Sequence, residues 1–386
     1  MDLASCLRQE KLLHRALETV VRTNSESRVL QIVADTVSRM LDAPLVLVSA
    51  PDPEGWLLPR CSGGPVAKEG IERLRISVDT AAPEGRGATS LAFRDRRYVG
   101  SPAAPPYSPG VDLTPWRWHQ SAFGLDYVAA FPLIHAQRRI VFGVLTCYLS
   151  RMQGPDEAQR RVVEGLACVA ASALYRLALQ EETLLSLVTA LQERDGETQE
   201  HTFRVVRFSE QLAELLGWSN LEDLERLRWG AMLHDVGKIC LPLAVLRKPG
   251  RLTGEEIHQV RRHAEVGYRI VQGLEGLGEA RQFVRFHHER FDGEGYPCGL
   301  RGDAIPEGAR ILAVADAFDA MTSERPYRPA LVYQRARAEL RQAAGRQFDP
   351  RAVRAFCSVS PQEWERLRQA ADRGVYSRYC LHRAGA

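Results

Sequence analysis

His287-His288-Glu289-Arg290-Phe291-Asp292-Gly293-Glu294-Gly295-Tyr296-Pro297 places two adjacent imidazoles directly before a turn-forming run with two glycines and a proline. Neighbouring side chains point away from one another on a helix or a strand. Two such histidines that both bind metal therefore need a helix end or two metals side by side. A solvated helix end is the alternative for this stretch alone, and the partners it finds elsewhere in the chain decide between them.

Working outward, the chain after Leu191 carries apolar residues at helical spacing in Val205–Leu216, Leu221–Leu233, Glu255–Leu274, Ala280–Phe286, Ala309–Met321, Tyr333–Ala344 and Pro350–Phe356, with no strand-like run. The second half is expected to be an all-α domain. Of ten histidines, six fall between positions 201 and 288. Glu197 and His201 are spaced i, i+4, which puts a carboxylate and an imidazole on one helix face. His234-Asp235 ends an apolar stretch, His263 lies in the helix that begins near Glu255, and Asp316 is a carboxylate inside the apolar run Ile311–Phe318. A single such residue is more often a satisfied core polar group. Three carboxylates and five imidazoles together exceed what one ion uses, and without cysteine they suit two or three divalent ions, iron or manganese before zinc.

Adjacent metals lower the pKa of water and clamp the oxygens of an in-line displacement at phosphorus, so phosphoester hydrolysis is the expected chemistry. A phosphate substrate also needs cations. Arg325-Pro326-Tyr327-Arg328 leaves the helix of Asp316, and Lys238 follows Asp235 by three residues, placed to bond phosphate or protonate a leaving oxygen. A solvated surface is the plainer reading of those cations.

The ordered motifs His234-Asp235-Val236-Gly237-Lys238, Leu246–Thr253, His287–Pro297, Asp316–Ser323, Arg325–Arg328 and Gln347-Phe348-Asp349-Pro350 give residues 183–375 a resemblance to the HD-GYP domain, a branch of the HD metal-dependent phosphohydrolases. The resemblance implies hydrolysis of the bacterial messenger cyclic di-GMP to linear pGpG and, in some members, to GMP. It also implies a ligand set of Glu197, His201, His234, Asp235, His263, His287, His288 and Asp316, with Asp235 bridging two metals and catalytic together with Lys238. A carboxylate at Glu197 matches the subset with a third metal. In the same reading Lys238, Arg325, Arg328, Tyr296 and Tyr327 contact substrate. Asp319 positions a ligand or an arginine, and His258 is surface. Two rivals stand beside this reading: a hydrolase of another cyclic dinucleotide such as cyclic GMP-AMP, and a receptor or adaptor that binds without turnover.

The first 150 residues mix two leading helices (Leu12–Leu41, with Asn24 or Ser25 as a cap between them) and strand candidates at Leu45–Val48 and Trp56–Leu58. A short helix at Gly87–Arg94 follows, then a proline-rich stretch from Val99 to Trp116 expected to be a long surface loop, and a hairpin of Tyr127–Ile134 with Ile140–Leu149. That order, with Ala130-Phe131-Pro132-Leu133 and Phe142-Gly143-Val144-Leu145 in the last two strands, resembles a GAF domain over about the first 175 residues. GAF domains sense small molecules. No ligand signature is visible here, and a spacer without ligand is the alternative. Between Glu157 and Leu191 no proline interrupts a 3/4 apolar spacing, as expected of a long helix that joins the halves. A coiled coil that pairs two chains in a parallel homodimer is the favoured reading; a helix whose first part packs on the sensor sheet and whose second begins the next domain is the alternative. The expected organisation is multidomain: an α+β GAF-like sensor over 1–155, a connecting helix with the spacing of a coiled coil over 156–192, and an all-α HD-type domain over 193–386.

With 51 Lys and Arg against 48 Asp and Glu, no bulk field recruits a nucleic-acid polymer or an anionic membrane. No apolar run is read as membrane-spanning and no secretory leader is visible, so a soluble, cytoplasmic chain is expected. The eight cysteines are scattered without a CxxC pair and are read as reduced.

Overall fold

A computed structural model describes residues 3–52, 54–66, 74–79, 81–114, 124–195, 199–248, 250–274, 276–324 and 329–372. Two compact units divide between Gln180 and Glu181.

In the first unit, helices α1 (Leu3–Arg22) and α2 (Glu26–Leu41) precede the strands, and the Ser25 hydroxyl caps α2 by accepting from the Arg28 N–H at 3.3 Å. Strands β1 (Leu45–Pro51), β2 (Trp56–Gly63), β3 (Ile76–Ser77), β4 (Val99–Pro102), β5 (Tyr127–Ile134) and β6 (Val141–Leu149) form one sheet ordered β3-β2-β1-β6-β5-β4, and helix α3 (Ala88–Asp95) lies between β3 and β4 in sequence. All five strand pairings are antiparallel. Val46, Val48, Phe131, Leu133, Leu145 and Cys147 pack with α2 and the long helix Glu157–Asp195, while Val128, Ala130 and Val144 pack with α3. This is the period-two alternation that sandwiches a sheet between helices.

The stretch from Val99 is not loop throughout, because Val99–Pro102 pairs with Ala130–Tyr127 as the outermost strand. Proline is tolerated there because an edge strand has one side that owes no hydrogen bond. The rest of the strand ladder runs longer than the periodicity suggests at β2, where a register shift at Val48/Ser49 accommodates Pro59.

Helix α4 (Glu157–Asp195) is the long element between the halves. Contrary to the sequence expectation, its Glu157–Leu191 portion is long and apolar enough to cross a bilayer by length and composition. The packing explains that composition: Val163, Leu166, Ala167, Ala170, Ala171, Leu174 and Ala178 are buried in the sheet's core. Arg176 on the same helix bonds Asn24 Oδ1 at 2.8 Å and the Thr23 carbonyl at 2.7 Å, polar contacts that a lipid-facing turn would not have.

The second unit is helical: α5 (Gln199–Leu215), α6 (Leu221–Leu233), α7 (Leu243–Leu246), α8 (Gly254–Arg261), α9 (His263–Gln272), α10 (Ala280–Phe286), α11 (Glu307–Thr322), α12 (Tyr333–Ala343), α13 (Pro350–Ser358) and α14 (Pro361–Asp372). Phe208, Leu212, Leu227, Phe283, Ile311, Phe318, Phe356 and Trp364 fill its core. The expected helix Glu255–Leu274 is two helices: the chain tightens at Arg262, whose N–H bonds the Gln259 carbonyl at 3.1 Å, and His263 opens the second. Helix α14 had no counterpart in the periodicity. Its buried Trp364 stacks 4.9 Å from Phe356 and meets Phe208 edge-on at 5.3 Å. Cys61, Cys147, Cys168, Cys240, Cys298 and Cys357 stand outside any disulfide.

Candidate metal centre

Helix ends deliver the histidines. His234 follows the last residue of α6, His263 opens α9, and His287 and His288 follow α10, while His201 sits in the first turn of α5 and Asp316 in the middle of α11. The helix-end option for the adjacent pair is therefore the one realised, and it lets both rings turn the same way, 4.0 Å apart between centroids.

Three of these imidazoles are oriented by one device. Nδ1 of His234, His263 and His287 donates to the carbonyl three residues earlier, Ala231 at 2.7 Å, Val260 at 2.6 Å and Val284 at 2.8 Å. Spending the proton on Nδ1 leaves the Nε2 lone pair for the interior of the site. His201 uses a carboxylate instead: its Nδ1 lies 2.7 Å from Asp319 Oδ2, and its Nε2 3.7 Å from Asp316 Oδ1.

The ligand atoms fall into two groups. Asp235, His263, His287 and His288 have donor atoms within 4.8 Å of one another, and so do His201, His234 and Asp316. Asp235 links them, with Oδ2 at 3.3 Å from His234 Nε2 and Oδ1 at 3.4 Å from His263 Nε2. His234 Nε2 is buried and makes no hydrogen bond. An unpartnered, desolvated ring nitrogen beside two carboxylates is a poor end state for a protein interior and, once its proton is displaced, a good ligand for a cation.

The electrostatics agree. Burial, then the neighbouring imidazoles, push His288 down to about 3 and His287 well below its ordinary value, so both rings are neutral donors at pH 7. At His234 burial acts in the same direction but loses to the Asp235 carboxylate, which holds the pKa up at about 9. Burial opposes ionisation of Asp235, yet Lys238 and His234 override it and keep the carboxyl well below the usual range. The pocket attracts positive charge, and a divalent ion supplies more of it than a proton.

Lys238 Nζ stands 2.8 Å from Asp235 Oδ2. The 3-10 turn Val236–Cys240 that carries it presses on α9 through Gly237, where a Cβ would come within 1.9 Å of the His263 carbonyl oxygen. The loop after His288 folds back so that Tyr296 N–H bonds the His288 carbonyl at 3.2 Å and the Tyr296 ring stacks on His288 at 4.8 Å. Gly295 is obligatory in that fold-back, since a Cβ there would approach Arg290 N to 2.2 Å. Buried Glu289 pins the far side by accepting from the Cys298 and Leu300 N–H groups at 2.7 and 3.0 Å. Tyr296 thus covers a histidine of the site as well as facing its mouth. Burial, then Asp235, raises its phenol pKa, so it stays a hydrogen-bond donor.

Family models match residues 185–352 as HD domain and residues 23–174 as GAF domain. The chain joins a GAF domain to an HD domain. The chain is 44% identical over 179 residues to the cyclic di-GMP phosphodiesterase response regulator RpfG of Xanthomonas campestris, covering 46% of this chain and 47% of that protein. It is 38% identical over 192 residues to a cyclic di-GMP phosphodiesterase of Thermotoga maritima (49% and 52% covered), and 33% over 237 residues to the 3'3'-cGAMP-specific phosphodiesterase 2 of Vibrio cholerae (59% and 45%). The chain spans about half the length of these relatives.

Seven of the eight expected ligands converge in the HD domain, and Glu197 lies outside the described residues, as do Arg325, Tyr327 and Arg328. Sequence reasoning missed the residues that hold Asp319. Arg204, one turn beyond His201, donates to Asp319 Oδ1 at 2.5 Å and Oδ2 at 3.1 Å, and reaches Asp372 of α14 at 3.1 Å. Arg368 of α14 adds Asp319 Oδ1 at 3.9 Å and bonds the Thr322 hydroxyl. The expected role of Asp319 as the orienter of a ligand or an arginine has both partners in reach. The i, i+3 spacing of His201 and Arg204 was a local signal for this; Arg368 and Asp372 had none, because they arrive through tertiary packing.

Proposed function

We propose that the chain is a metal-dependent phosphodiesterase that opens cyclic di-GMP to pGpG and carries it on to GMP, under control of its GAF domain. The observation that carries this is the pair of abutting ligand groups joined through Asp235, with the buried His234 Nε2 left for a metal. The names of the relatives support the substrate class.

Two or three divalent ions, iron or manganese by the nitrogen-and-oxygen donor set, would be held by His201, His234, Asp235, His263, His287, His288 and Asp316, with Glu197 serving a third. Bound there, they supply Lewis-acid activation of water and of the phosphoryl oxygens. The chain's own residues do the rest. Lys238, at 2.8 Å from Asp235, presents an ammonium where phosphate charge develops and is the candidate donor to the departing ribose oxygen. Tyr296 donates its hydroxyl at the mouth, and Arg325, Arg328 and Tyr327 are proposed substrate contacts. Asp319, clamped by Arg204, fixes the His201 ring.

Cyclic GMP-AMP is the second candidate substrate, favoured by the likeness to the 3'3'-cGAMP-specific enzyme. Metal-loaded full chain should convert cyclic di-GMP to pGpG and GMP on chromatographic product analysis. Conversion of cyclic GMP-AMP alone would move the assignment, and tight binding without product would make the chain a receptor. Regulation through a small GAF ligand and a homodimer paired along α4 in the cytoplasm belongs to the same proposal. Sedimentation of the full chain as a monomer at assay concentration would remove the dimer from it.

A further inference from the structure

We propose that Arg261 binds the second phosphate of the cyclic dinucleotide, the one that is not being cleaved, and so selects for a substrate with two phosphodiesters. The inference rests on the phosphodiesterase reading and deepens it. Arg261 is the last residue of α8, two before His263. Its backbone is set by the turn that aims His263, in which Arg262 N–H bonds the Gln259 carbonyl at 3.1 Å and His263 Nδ1 the Val260 carbonyl at 2.6 Å.

The Arg261 guanidinium lies over the Tyr296 ring, Cζ 5.4 Å from its centroid, and that ring stacks on His288 at 4.8 Å and 28°. A cation on an aromatic face keeps its in-plane N–H groups for an anion. One continuous stack therefore runs from an imidazole of the metal centre to a guanidinium at the rim.

What marks Arg261 is the absence of a counter-charge. Four carboxylates of this domain are committed to other cations: Glu265 to Arg285 at 2.8 Å, Asp292 to Arg290 at 2.6 Å, Glu256 to Lys248 at 2.7 Å and Asp235 to Lys238 at 2.8 Å. Among the described residues Arg261 has no ion-pair partner, and it is exposed. A cyclic dinucleotide holds two phosphodiesters in one ring. With one against the metals, the other keeps its negative charge beside the mouth of the site, where a free guanidinium fork is the group that takes it.

The test uses the full, metal-loaded chain with Arg261→Ala and Arg261→Lys. Arg261→Ala should raise KM for cyclic di-GMP about tenfold or more with kcat within about twofold, the signature of lost uniform binding to a charged group. Hydrolysis of bis(p-nitrophenyl) phosphate, which has one phosphate, should be unaltered, and Arg261→Lys should recover part of the KM loss. An unchanged KM, or equal losses on both substrates, overturns the proposal. Should the wild type hydrolyse only the single-phosphate ester, the phosphodiesterase reading fails on cyclic di-GMP. Calorimetric Kd values for cyclic di-GMP then decide Arg261 separately: about tenfold weaker binding in Arg261→Ala upholds its role, and equal binding or none in the wild type ends it.

Discussion

Asp319 illustrates how one buried carboxylate organises a site without facing the reaction. Burial disfavours its charge, but hydrogen bonds from His201 and Arg204 win and hold its pKa down at about 2. A carboxyl lowered on folding stabilises the folded state above its unfolded pKa, about 3.9, and loses that contribution as pH falls toward 2, an effect of about 2–3 kcal/mol. Denaturant titrations between about pH 5 and pH 2 should therefore show a steep acid limb in the wild type and a shallower one in Asp319→Asn. Identical limbs would show that Asp319 carries no such linkage. The same hydrogen bonds explain why Asp319 was readable as an orienting residue from the motif Asp316-Ala317-Phe318-Asp319. Arg204 was not readable, because nothing in a helix sequence says which distant carboxylate an arginine will meet.

Helix α14 shows the element scale. Its pattern is sparse: Trp364 is its one large buried anchor, at 2% exposure, and most of its other side chains are polar. That anchor closes an aromatic group with Phe208, Phe318 and Phe356, and it brings Arg368 and Asp372 to the Arg204–Asp319 pair. Trp364→Ala should cost about 3–5 kcal/mol by cavity formation and, in addition, loosen metal retention on dialysis. Phe131→Ala, an equally buried aromatic deletion in the GAF domain, should destabilise through the same mechanism and leave metal retention alone. Equal retention in both variants would limit α14 to packing. At the same scale, β4 was misread as loop because Pro102 and the prolines that follow it outweighed a four-residue edge strand, and α4 as less apolar than it is because its buried face is built largely of alanine.

For the whole molecule, the two units have separate cores, and the candidate ligands all lie in the second. Metal bound by the native state alone stabilises it, by about 2.7 kcal/mol when free metal is a hundred times Kd. Stripping the full chain with a chelator should abolish phosphodiester hydrolysis and lower the thermal midpoint of the HD transition while the GAF transition stays in place. Calorimetry of the stripped and reloaded chain checks this, and activity that survives complete removal of metal would refute the catalytic scheme.

Sequence alone determined the class of each half and most of the candidate site. Helical and alternating periodicities reflect local backbone geometry, and the spaced His and Asp motifs are short enough to be recognised one at a time. Only the tertiary structure decided how those motifs share space: which Nε2 atoms turn inward, that Asp235 stands between two groups, and that Tyr296 lies on His288 with Arg261 above it. Those relations depend on helix ends set by packing and on contacts between residues more than a hundred positions apart, such as His201 with Asp319. Periodicity is silent on both, because a side chain's distant partner is chosen by the core that forms around it.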